Sequence, residues 1–374
     1  MSHSEPALPL EDLIRIERLQ ESSETNDRGE VTMDPAADKR LDKVITFLSR
    51  GGFQGFTRQE LLIPAWHSIA ALSNMAEAIT NLYVSNRIDS EQAISLLEEI
   101  ARRASHPKVN PYRRNINDVR DLYKWGYYLE HLNICLGALS RVSLDHQYQA
   151  LNERVSRHLY ENSLRYKNVH ADLHARSRMK WPADQAGILY SLWLHDQNCG
   201  TSLSMEPITR WFEYMDANAV DESTGLYITE VAGVKKFSGV PRGCALSYLS
   251  HYVGRFDPKR AAAIWERYKA SFLIRTVVGT GFREYPRDFK HRWTPDSGPI
   301  LFGLGAAATG IGLNAASTVD DQEAYQAIKK SLDRILGLFS GVENVFGNNL
   351  LTRVGTDLLA TSIRLNAETK CAWY

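Results

Sequence analysis

The sequence has few of the residues that build metal centres and disulfide frameworks. It has only four cysteines in 374 residues, and no two of them form a CxxC pair. This spacing argues against a structural zinc site and against a disulfide-stapled fold. HExxH, GxSxG and GxxxxGK[ST] motifs are also absent. We therefore expect no metal and no cofactor, and the cysteine usage is typical of the cytoplasm.

An excess of charge of one sign is also absent. Lys+Arg and Asp+Glu both number 44, so the formal net charge is zero. Nucleic-acid-binding proteins usually carry a basic excess, and no nucleic-acid partner is expected. The polar N-terminus lacks the apolar core of a secretory signal, and the most apolar run, 300–316, is too short to cross a bilayer. We expect a small-molecule substrate and no membrane span.

Signals for β-strands are sparse, whereas helical periodicity runs along the chain. Only 226–231 resembles a short strand, and 342–346 is ambiguous. Apolar residues recur at helical spacing in about twelve segments. These segments are 41–48, 66–83, 91–102, 119–139, 146–160, 185–193, 208–215, 244–252, 260–272, 300–316, 325–339 and 355–363.

The organisation predicts one large helical domain after a short lead. Residues 1–35 read as a flexible arm, with one amphipathic helix around 8–19. No Pro-, Gly- or Ser-rich linker divides residues 36–374. Twelve helices in one domain predict an all-α (α/α)6 barrel, in which six helical hairpins close into a ring. A helical solenoid is the competing architecture, but no fixed-period repeat supports it.

In such a barrel, loops at one rim carry the polar groups of a site. The densest loop is 281–299. Asp296 precedes Ser297 and a predicted helix, so either residue could be only an N-cap, or Asp296 could also be catalytic. Glu284 is a catalytic candidate or an ion-pair partner of a neighbouring arginine (Arg283 or Arg287). Trp293 is a candidate pocket wall.

Three other segments carry candidate site residues. Asp184 follows a Trp-Pro turn at the start of an apolar helix, where burial would raise its pKa and suit a general acid. Asp184 and Asp296 could form an acid–base pair. His131 and Tyr127 are four residues apart and share a helix face.

Arg242 lies where a helix should begin after a Pro turn. It could bind an anionic or carbonyl group of a substrate, or pair with a nearby carboxylate. Cys244 is a candidate cavity residue or an inert buried thiol. The glycine run at 303–310 is not read as a dinucleotide loop, because no strand precedes it.

Several short pieces resemble the linalool dehydratase/isomerase family. They are Phe47–Gly51, His131–Asn133, Ser191–Asp196 with Gly200-Thr201, Trp211, Asp221–Gly225 and Phe256–Pro258. The resemblance implies an (α/α)6 barrel that acts on an allylic alcohol by acid–base chemistry without metal or cofactor. It also implies a site at a subunit interface, and so it allows a homo-oligomer.

The family's site residues transfer only in part. Its catalytic aspartate, supplied by a neighbouring subunit, falls on Asp42, and its histidine falls on His131. A catalytic cysteine falls on Asp184, and a pocket tyrosine falls on Cys244. A carboxylate in place of a thiol implies a more polar or larger substrate than linalool.

These observations lead to a first functional expectation: a cofactor-independent lyase, isomerase or cyclase of a terpenoid-like natural product. Asp184 or Asp296 would donate a proton, and His131 or Asp42 would accept one. Aromatic side chains could shield a developing cation. These are Tyr127, Trp181, Tyr227 and Trp293.

Two alternatives remain at this stage. One is a glycoside hydrolase or uronic-acid lyase with paired carboxylates, because such enzymes also use this barrel. The other is a helical scaffold without activity, which would use Asp184 and Asp296 only as helix caps.

Overall fold

The computed structural model describes most of the chain after the N-terminal lead. The described residues are 34–56, 61, 66–165, 169–171, 179–232, 236–238, 240–287, 289, 297–346 and 357–374. The predicted arm helix at 8–19 lies outside them, as do Asp296 and Trp293.

Twelve α-helices and one 3-10 turn account for most of the described residues. The helices are α1 Pro35–Ser49, α2 Trp66–Val84, α3 Ser90–Ser105, α4 Gly126–Val142, α5 Gln149–Arg165, α6 Pro182–Cys199, α7 Met205–Asn218, α8 Gly243–Phe256, α9 Pro258–Phe272, α10 Ala306–Thr318, α11 Gln322–Phe346 and α12 Asp357–Thr369. The 3-10 turn is Ile116–Asp118.

The even-numbered helices form a closed inner ring. Along the chain each one packs against the next, and α12 packs against α2 to close the ring. The odd-numbered helices pack on the outside of this ring. Six inner and six outer helices confirm the predicted (α/α)6 barrel. Because an outer helix returns the chain after each inner helix, the inner helices run parallel and their N-termini meet at one end.

Burial explains why the two sets of helices occupy different layers. In α2 every residue from Ser68 to Leu82 is buried, as expected for a helix enclosed on all sides. In α3 the buried residues follow one stripe, which includes Ala93, Leu97 and Ala101. A one-sided apolar stripe suits a helix that packs on the ring and faces solvent.

Three small antiparallel sheets lie in the connections. The first contains β1 Met179–Lys180, β2 Glu230–Ala232 and β3 Lys236–Ser238 in that order; the second pairs β4 Leu273–Thr276 with β5 Gly279–Phe282; the third pairs β6 Ile300–Leu301 with β7 Leu304–Gly305. The strand expected at 226–231 therefore begins only at Glu230. Residues 342–346 are helical.

The predicted helix 300–316 is wrong in its first six residues. They form the β6–β7 hairpin, whose turn residues Phe302 and Gly303 have positive φ angles of 54° and 85°. Helix α10 begins at Ala306 with Gly305 as its N-cap residue, and the Ser297 carbonyl accepts the Ala307 N–H at 3.1 Å from outside the helix.

Another helix start differs from the sequence expectation. Helix α4 begins at Gly126 and not near 119, because Lys124 and Trp125 adopt left-handed backbone angles that interrupt a helix. The N-cap of α3 is Asp89, whose side chain accepts the Gln92 N–H at 2.8 Å. In the part of the chain that the structure describes, no helix is long and apolar enough to cross a membrane.

Candidate functional site

The first two turns of the inner helices form a rim with partly exposed polar and aromatic side chains. We call it the N-terminal rim. Its partly exposed members include Trp66, Tyr127, Asp184 and Tyr248, from α2, α4, α6 and α8 respectively. Helix N-termini carry a partial positive charge that favours carboxylates nearby, so this end of the barrel suits acidic side chains.

A chain of short hydrogen bonds lies just below the rim. The Tyr248 hydroxyl donates to Glu130 Oε1 at 2.7 Å and lies 2.6 Å from His131 Nε2. On the other side of the imidazole, Nδ1 lies 2.6 Å from Ser73 Oγ. Three inner helices, α2, α4 and α8, thus contribute to one polar cluster. Glu130, His131 and Ser73 are each 0 % exposed, whereas Tyr248 reaches the rim.

Asp184 lies on the same wall as Glu130. It is in the first turn of α6, and Gly187 is one turn further along that helix. A Cβ added at Gly187 would be 2.8 Å from Glu130 Cδ, so the Glu130 carboxylate rests directly on α6. Burial raises the pKa of Tyr248, and the negative charges of Glu130 and Asp184 raise it further. Both charges thus contribute to the raised pKa of the same hydroxyl group.

Aromatic rings line this part of the rim. The Tyr127 ring is 4.6 Å from the His131 ring and 6.5 Å from the Tyr248 ring, the latter in a stacked arrangement. Trp66 meets Tyr127 edge-on at 6.5 Å. The sequence analysis placed Tyr127 and His131 on one helix face, and the structure brings them into contact. Trp181, at the N-cap position of α6, is also partly exposed.

Glu284, Arg242 and Cys244 form a second cluster at the start of α8. Arg242 Nε donates to Glu284 Oε1 at 2.9 Å, and the Cys244 N–H donates to Glu284 Oε2 at 3.2 Å. The Cys244 thiol donates to Glu284 Oε1 at 3.0 Å. Burial raises the pKa of Glu284, while Cys244 and Arg242 oppose this shift.

This second cluster is packed more deeply than the rim. Glu284 is 0 % exposed, and its ion-pair partner is Arg242, where the sequence analysis had considered Arg283 or Arg287. Arg242 therefore holds a carboxylate of its own chain. The arrangement anchors the β5–β6 connection to the N-terminus of α8.

Two predicted site residues lie away from the N-terminal rim. Asp42 is exposed on outer helix α1. Tyr227 donates a hydrogen bond to Asp216, and Arg260 also contacts this pair. Asp216 and Arg260 belong to outer helices α7 and α9, so Tyr227 joins the outer layer. Neither Asp42 nor Tyr227 meets His131 within one chain.

The sequence analysis missed Glu130, Tyr248 and Trp66. Glu130 could have been noticed as an acid between apolar residues of a helix that also holds Tyr127 and His131. Tyr248 and Trp66 carry no comparable signal, because aromatic residues on apolar helices are most often core residues.

A further polar cluster lies one helical turn deeper in the barrel, where Glu77 follows Ser73 by four residues along α2. The carboxylate of Glu77 accepts from Tyr190 at 3.1 Å and from Asn366 at 2.8 Å, and His251 Nε2 is 3.4 Å away. Although burial raises the pKa of Glu77, the charges of Lys370 and other cations lower it overall. Among the described residues, no group of three His, Cys, Asp or Glu side chains could hold a metal ion.

Comparison with solved structures shows the same barrel in carbohydrate-active enzymes. A family 76 glycoside hydrolase from a bovine Bacteroides thetaiotaomicron strain has a TM-score of 0.53 and 12% identity, covering 89% of this chain and 77% of its own. An inactive variant of the α-1,6-mannanase GH76A of Salegentibacter sp. HEL1_6, in complex with α-1,6-mannotriose, has a TM-score of 0.52 and 13% identity. The match covers 89% of this chain and 98% of the mannanase. A polysaccharide lyase has a TM-score of 0.51 and 12% identity, and the match covers 88% of this chain and 96% of the lyase.

No protein-family model matches the chain, and no curated protein sequence is significantly similar to it. The resemblance to the linalool dehydratase/isomerase family is therefore wrong. The similar solved structures are glycoside hydrolases and a lyase of polysaccharides, and they do not support a terpenoid cyclase. At these identities the likeness establishes the shared (α/α)6 fold.

Proposed function

We propose that this protein cleaves glycosidic bonds in an oligosaccharide or polysaccharide bound across the N-terminal rim. This is the alternative that the sequence analysis left open. The observation that carries it is the position of Tyr248, whose hydroxyl contacts Glu130 and His131 and feels the charge of Asp184. Two carboxylates and a proton-exchanging hydroxyl at one place are the groups that acid–base cleavage of a glycoside needs.

The two carboxylates have different surroundings and therefore different roles. Asp184 is partly exposed in the first turn of α6, where it can reach a substrate oxygen. We assign it the role of general acid toward the leaving group. Glu130 is fully buried and accepts a hydrogen bond from the Tyr248 hydroxyl. We assign it the role of base.

The aromatic side chains of the rim suit a sugar substrate. Trp66 and Tyr127 meet edge-on and are partly exposed, so they offer flat apolar surface next to hydrogen-bonding groups. A sugar ring has the same mixture of apolar and polar faces. The inactive variant of the α-1,6-mannanase is in complex with α-1,6-mannotriose, which supports α-1,6-linked mannooligosaccharides as the first substrates to test.

Elimination by a lyase is a second candidate, because Tyr248 and His131 could together remove a proton from carbon. A lyase must also neutralise the uronate carboxylate of its substrate. Among the described residues, Arg242 next to this rim is already paired with Glu284, which favours hydrolysis as the reaction to test first.

The test incubates the purified protein with α-1,6-mannooligosaccharides and, separately, with uronate-containing polysaccharides. Hydrolysis releases new reducing ends, whereas elimination also produces an unsaturated sugar that absorbs ultraviolet light. Asp184→Asn should lower kcat by about 10²–10⁴-fold, the usual effect of a general acid. Asp145→Asn is the matched control, because Asp145 is exposed in a loop between α4 and α5. Failure to cleave any of these glycans, or an unchanged kcat in Asp184→Asn, would overturn the proposal.

A further inference from the structure

The proposed base is out of reach of the substrate. Glu130 is 0 % exposed, and its carboxylate rests on the backbone of α6 at Gly187. Tyr248, by contrast, is partly exposed at the rim and donates its hydroxyl proton to Glu130 at 2.7 Å. Any proton that passes between the rim and Glu130 along these contacts must therefore pass through the Tyr248 hydroxyl.

The hydrogen bonds of this cluster run in one direction. A tyrosine hydroxyl has one proton, and Tyr248 gives it to Glu130. His131 Nε2, 2.6 Å from the same oxygen, must then be the donor. A neutral imidazole that is protonated at Nε2 accepts at Nδ1, and Ser73 Oγ is 2.6 Å from that atom. Ser73 Oγ also lies 3.0 Å from the Ala70 carbonyl oxygen, so the Ser73 hydroxyl is shared between that carbonyl and His131, and the order continues from His131 to Tyr248 to Glu130.

The surroundings keep His131 neutral. Burial lowers the pKa of His131 to about 3, with a further lowering by His251 and an opposing effect from Glu77. The titratable or charged groups that face this cluster come from four inner helices. They are Glu77 on α2, Tyr127 and Glu130 on α4, Asp184 on α6, and Tyr248, His251 and Tyr252 on α8.

We propose that Tyr248 relays a proton from a water molecule at the rim to the buried base Glu130, and that His131 and Ser73 orient its hydroxyl. This inference rests on the proposed function and adds a route to it. Tyr248 is then a catalytic residue that contacts the attacking water. His131 and Ser73 are positioning residues that act through Tyr248.

The step balances in protons and electrons. The water O–H bond breaks, and its proton forms a new O–H bond with Tyr248. The original Tyr248 proton moves to Glu130 at the same time. The water oxygen forms a bond to the anomeric carbon, the glycosidic C–O bond breaks, and Asp184 protonates the leaving oxygen. After product release, Glu130 returns its proton to solvent through Tyr248, and Asp184 takes one up.

A tyrosine suits this role because it never needs to hold the negative charge. Burial and the charge of Glu130 raise the pKa of Tyr248 well above its usual value. The phenol therefore receives one proton as it gives up another. Water as the direct nucleophile also predicts inversion at the anomeric carbon.

The main experiment compares two tyrosines that each hydrogen-bond a buried glutamate. Tyr248→Phe should lower kcat by about 10²–10⁴-fold with little change in KM, because only the proton route is lost. Tyr190→Phe is the matched control. Its hydroxyl donates to Glu77 at 3.1 Å, outside the proposed proton route, and this variant should keep the wild-type kcat.

A double-mutant cycle separates a relay from a merely structural role. Glu130→Gln should lower kcat as much as Tyr248→Phe, and the double variant should be no slower than either single variant, because the two residues act as one unit. If the fold-losses in kcat of the two single variants multiply in the double variant, the relay is wrong. Products with retained anomeric configuration would also overturn the relay, and either result would leave the hydrolase proposal intact.

The protonated nitrogen of His131 gives a readout that does not depend on activity. Nitrogen-15 NMR of the wild-type protein at pH 7 should show a neutral His131 imidazole with the proton on Nε2. A proton on Nδ1 would mean that Tyr248 donates to His131 and not to Glu130, and the relay would be wrong. If no glycan is cleaved, the functional proposal fails, and this measurement still decides the direction of the hydrogen bonds.

Discussion

Gly187 and Glu130 are in direct contact between two inner helices. A Cβ at position 187 would lie 2.8 Å from Glu130 Cδ and 2.9 Å from each carboxylate oxygen. The glycine is therefore required by the close approach of a side chain, since its place in α6 is ordinary helix. This contact holds the buried carboxylate against Tyr248, and it connects the packing of the barrel to the proposed chemistry.

Gly187→Ala should disturb both stability and activity. The methyl group must push Glu130 away from α6, which costs about 1–3 kcal/mol for an overpacked buried site and lengthens the bond to Tyr248. Urea unfolding and kcat on a cleaved glycan are the measurements. Gly310→Ala in α10 is the control, because no atom of the described residues, apart from the local backbone of its own helix, lies within 4 Å of its added Cβ. That variant should be unchanged or more stable, since alanine favours helix. An equally active, equally stable Gly187→Ala protein would contradict the contact.

The buried histidines should make the fold sensitive to acid. Burial lowers the pKa of His131 to about 3 and that of His251 to about 4, from an ordinary value of 6.5. Below pH 6.5 these histidines are protonated in the unfolded chain but stay neutral in the folded chain. The free energy of unfolding therefore falls as the pH falls, until the pH reaches the pKa of the folded state. At pH 5 each of these histidines lowers the free energy of unfolding by about 2 kcal/mol relative to pH 7.

His251→Gln isolates one of these contributions. Glutamine can still hydrogen-bond Thr318 and Glu77, the two neighbours of His251, but it does not titrate. The difference in unfolding free energy between pH 7 and pH 5 should shrink by about 2 kcal/mol in this variant. Urea titrations at the two pH values measure it. An identical pH dependence in wild type and His251→Gln would show that His251 does not resist protonation in the fold.

Arg103 should be irreplaceable by lysine. It is 0 % exposed, donates to the carbonyl groups of Phe47 and Leu48 at 3.1 and 3.0 Å, and pairs with Glu99 at 2.6 Å. The two bonds to carbonyl groups provide hydrogen-bond donors for the last turn of α1, where no helix N–H is available. A lysine lacks the planar donor fork and cannot make all three, so Arg103→Lys should lose about 1.5–3 kcal/mol.

Arg102→Lys provides the matched comparison for Arg103. Arg102 pairs with the same Glu99 carboxylate, but its side chain is 45% exposed. Exposed ion pairs contribute about 0–1 kcal/mol, so this variant should unfold almost as the wild type does in a urea titration. Equal losses in Arg102→Lys and Arg103→Lys would mean that the carbonyl contacts of Arg103 contribute nothing.

Part of the site was visible in the sequence. Asp184 was expected at a helix start, and Tyr127 and His131 were expected on one face, because capping preferences and helical periodicity act over a few residues. The structure places all three at or just below the N-terminal rim. An ion pair was one of the expectations for Glu284 and for Arg242. The two residues are each other's partners, although they are 42 residues apart in the sequence.

Other candidates could not be sorted by local pattern. Tyr227 has the composition of a pocket residue, yet the outer helices α7 and α9 supply its partners. The apolar run at 300–316 looked like one helix, but two positive φ angles at Phe302 and Gly303 turn its start into a hairpin. Hydrophobicity alone does not encode such a turn.

The order of apolar and polar residues by itself predicted about twelve helices, the number found in the described part of the chain, and their number in one domain indicated a ring of hairpins. That information is local, because helical periodicity repeats within each segment. Only the tertiary structure decided which inner faces meet. It brings Tyr248 to His131 across 117 positions of sequence, and Glu130 to the one glycine of α6. Such contacts depend on how six helices close around a common axis, and no spacing within a single helix specifies them.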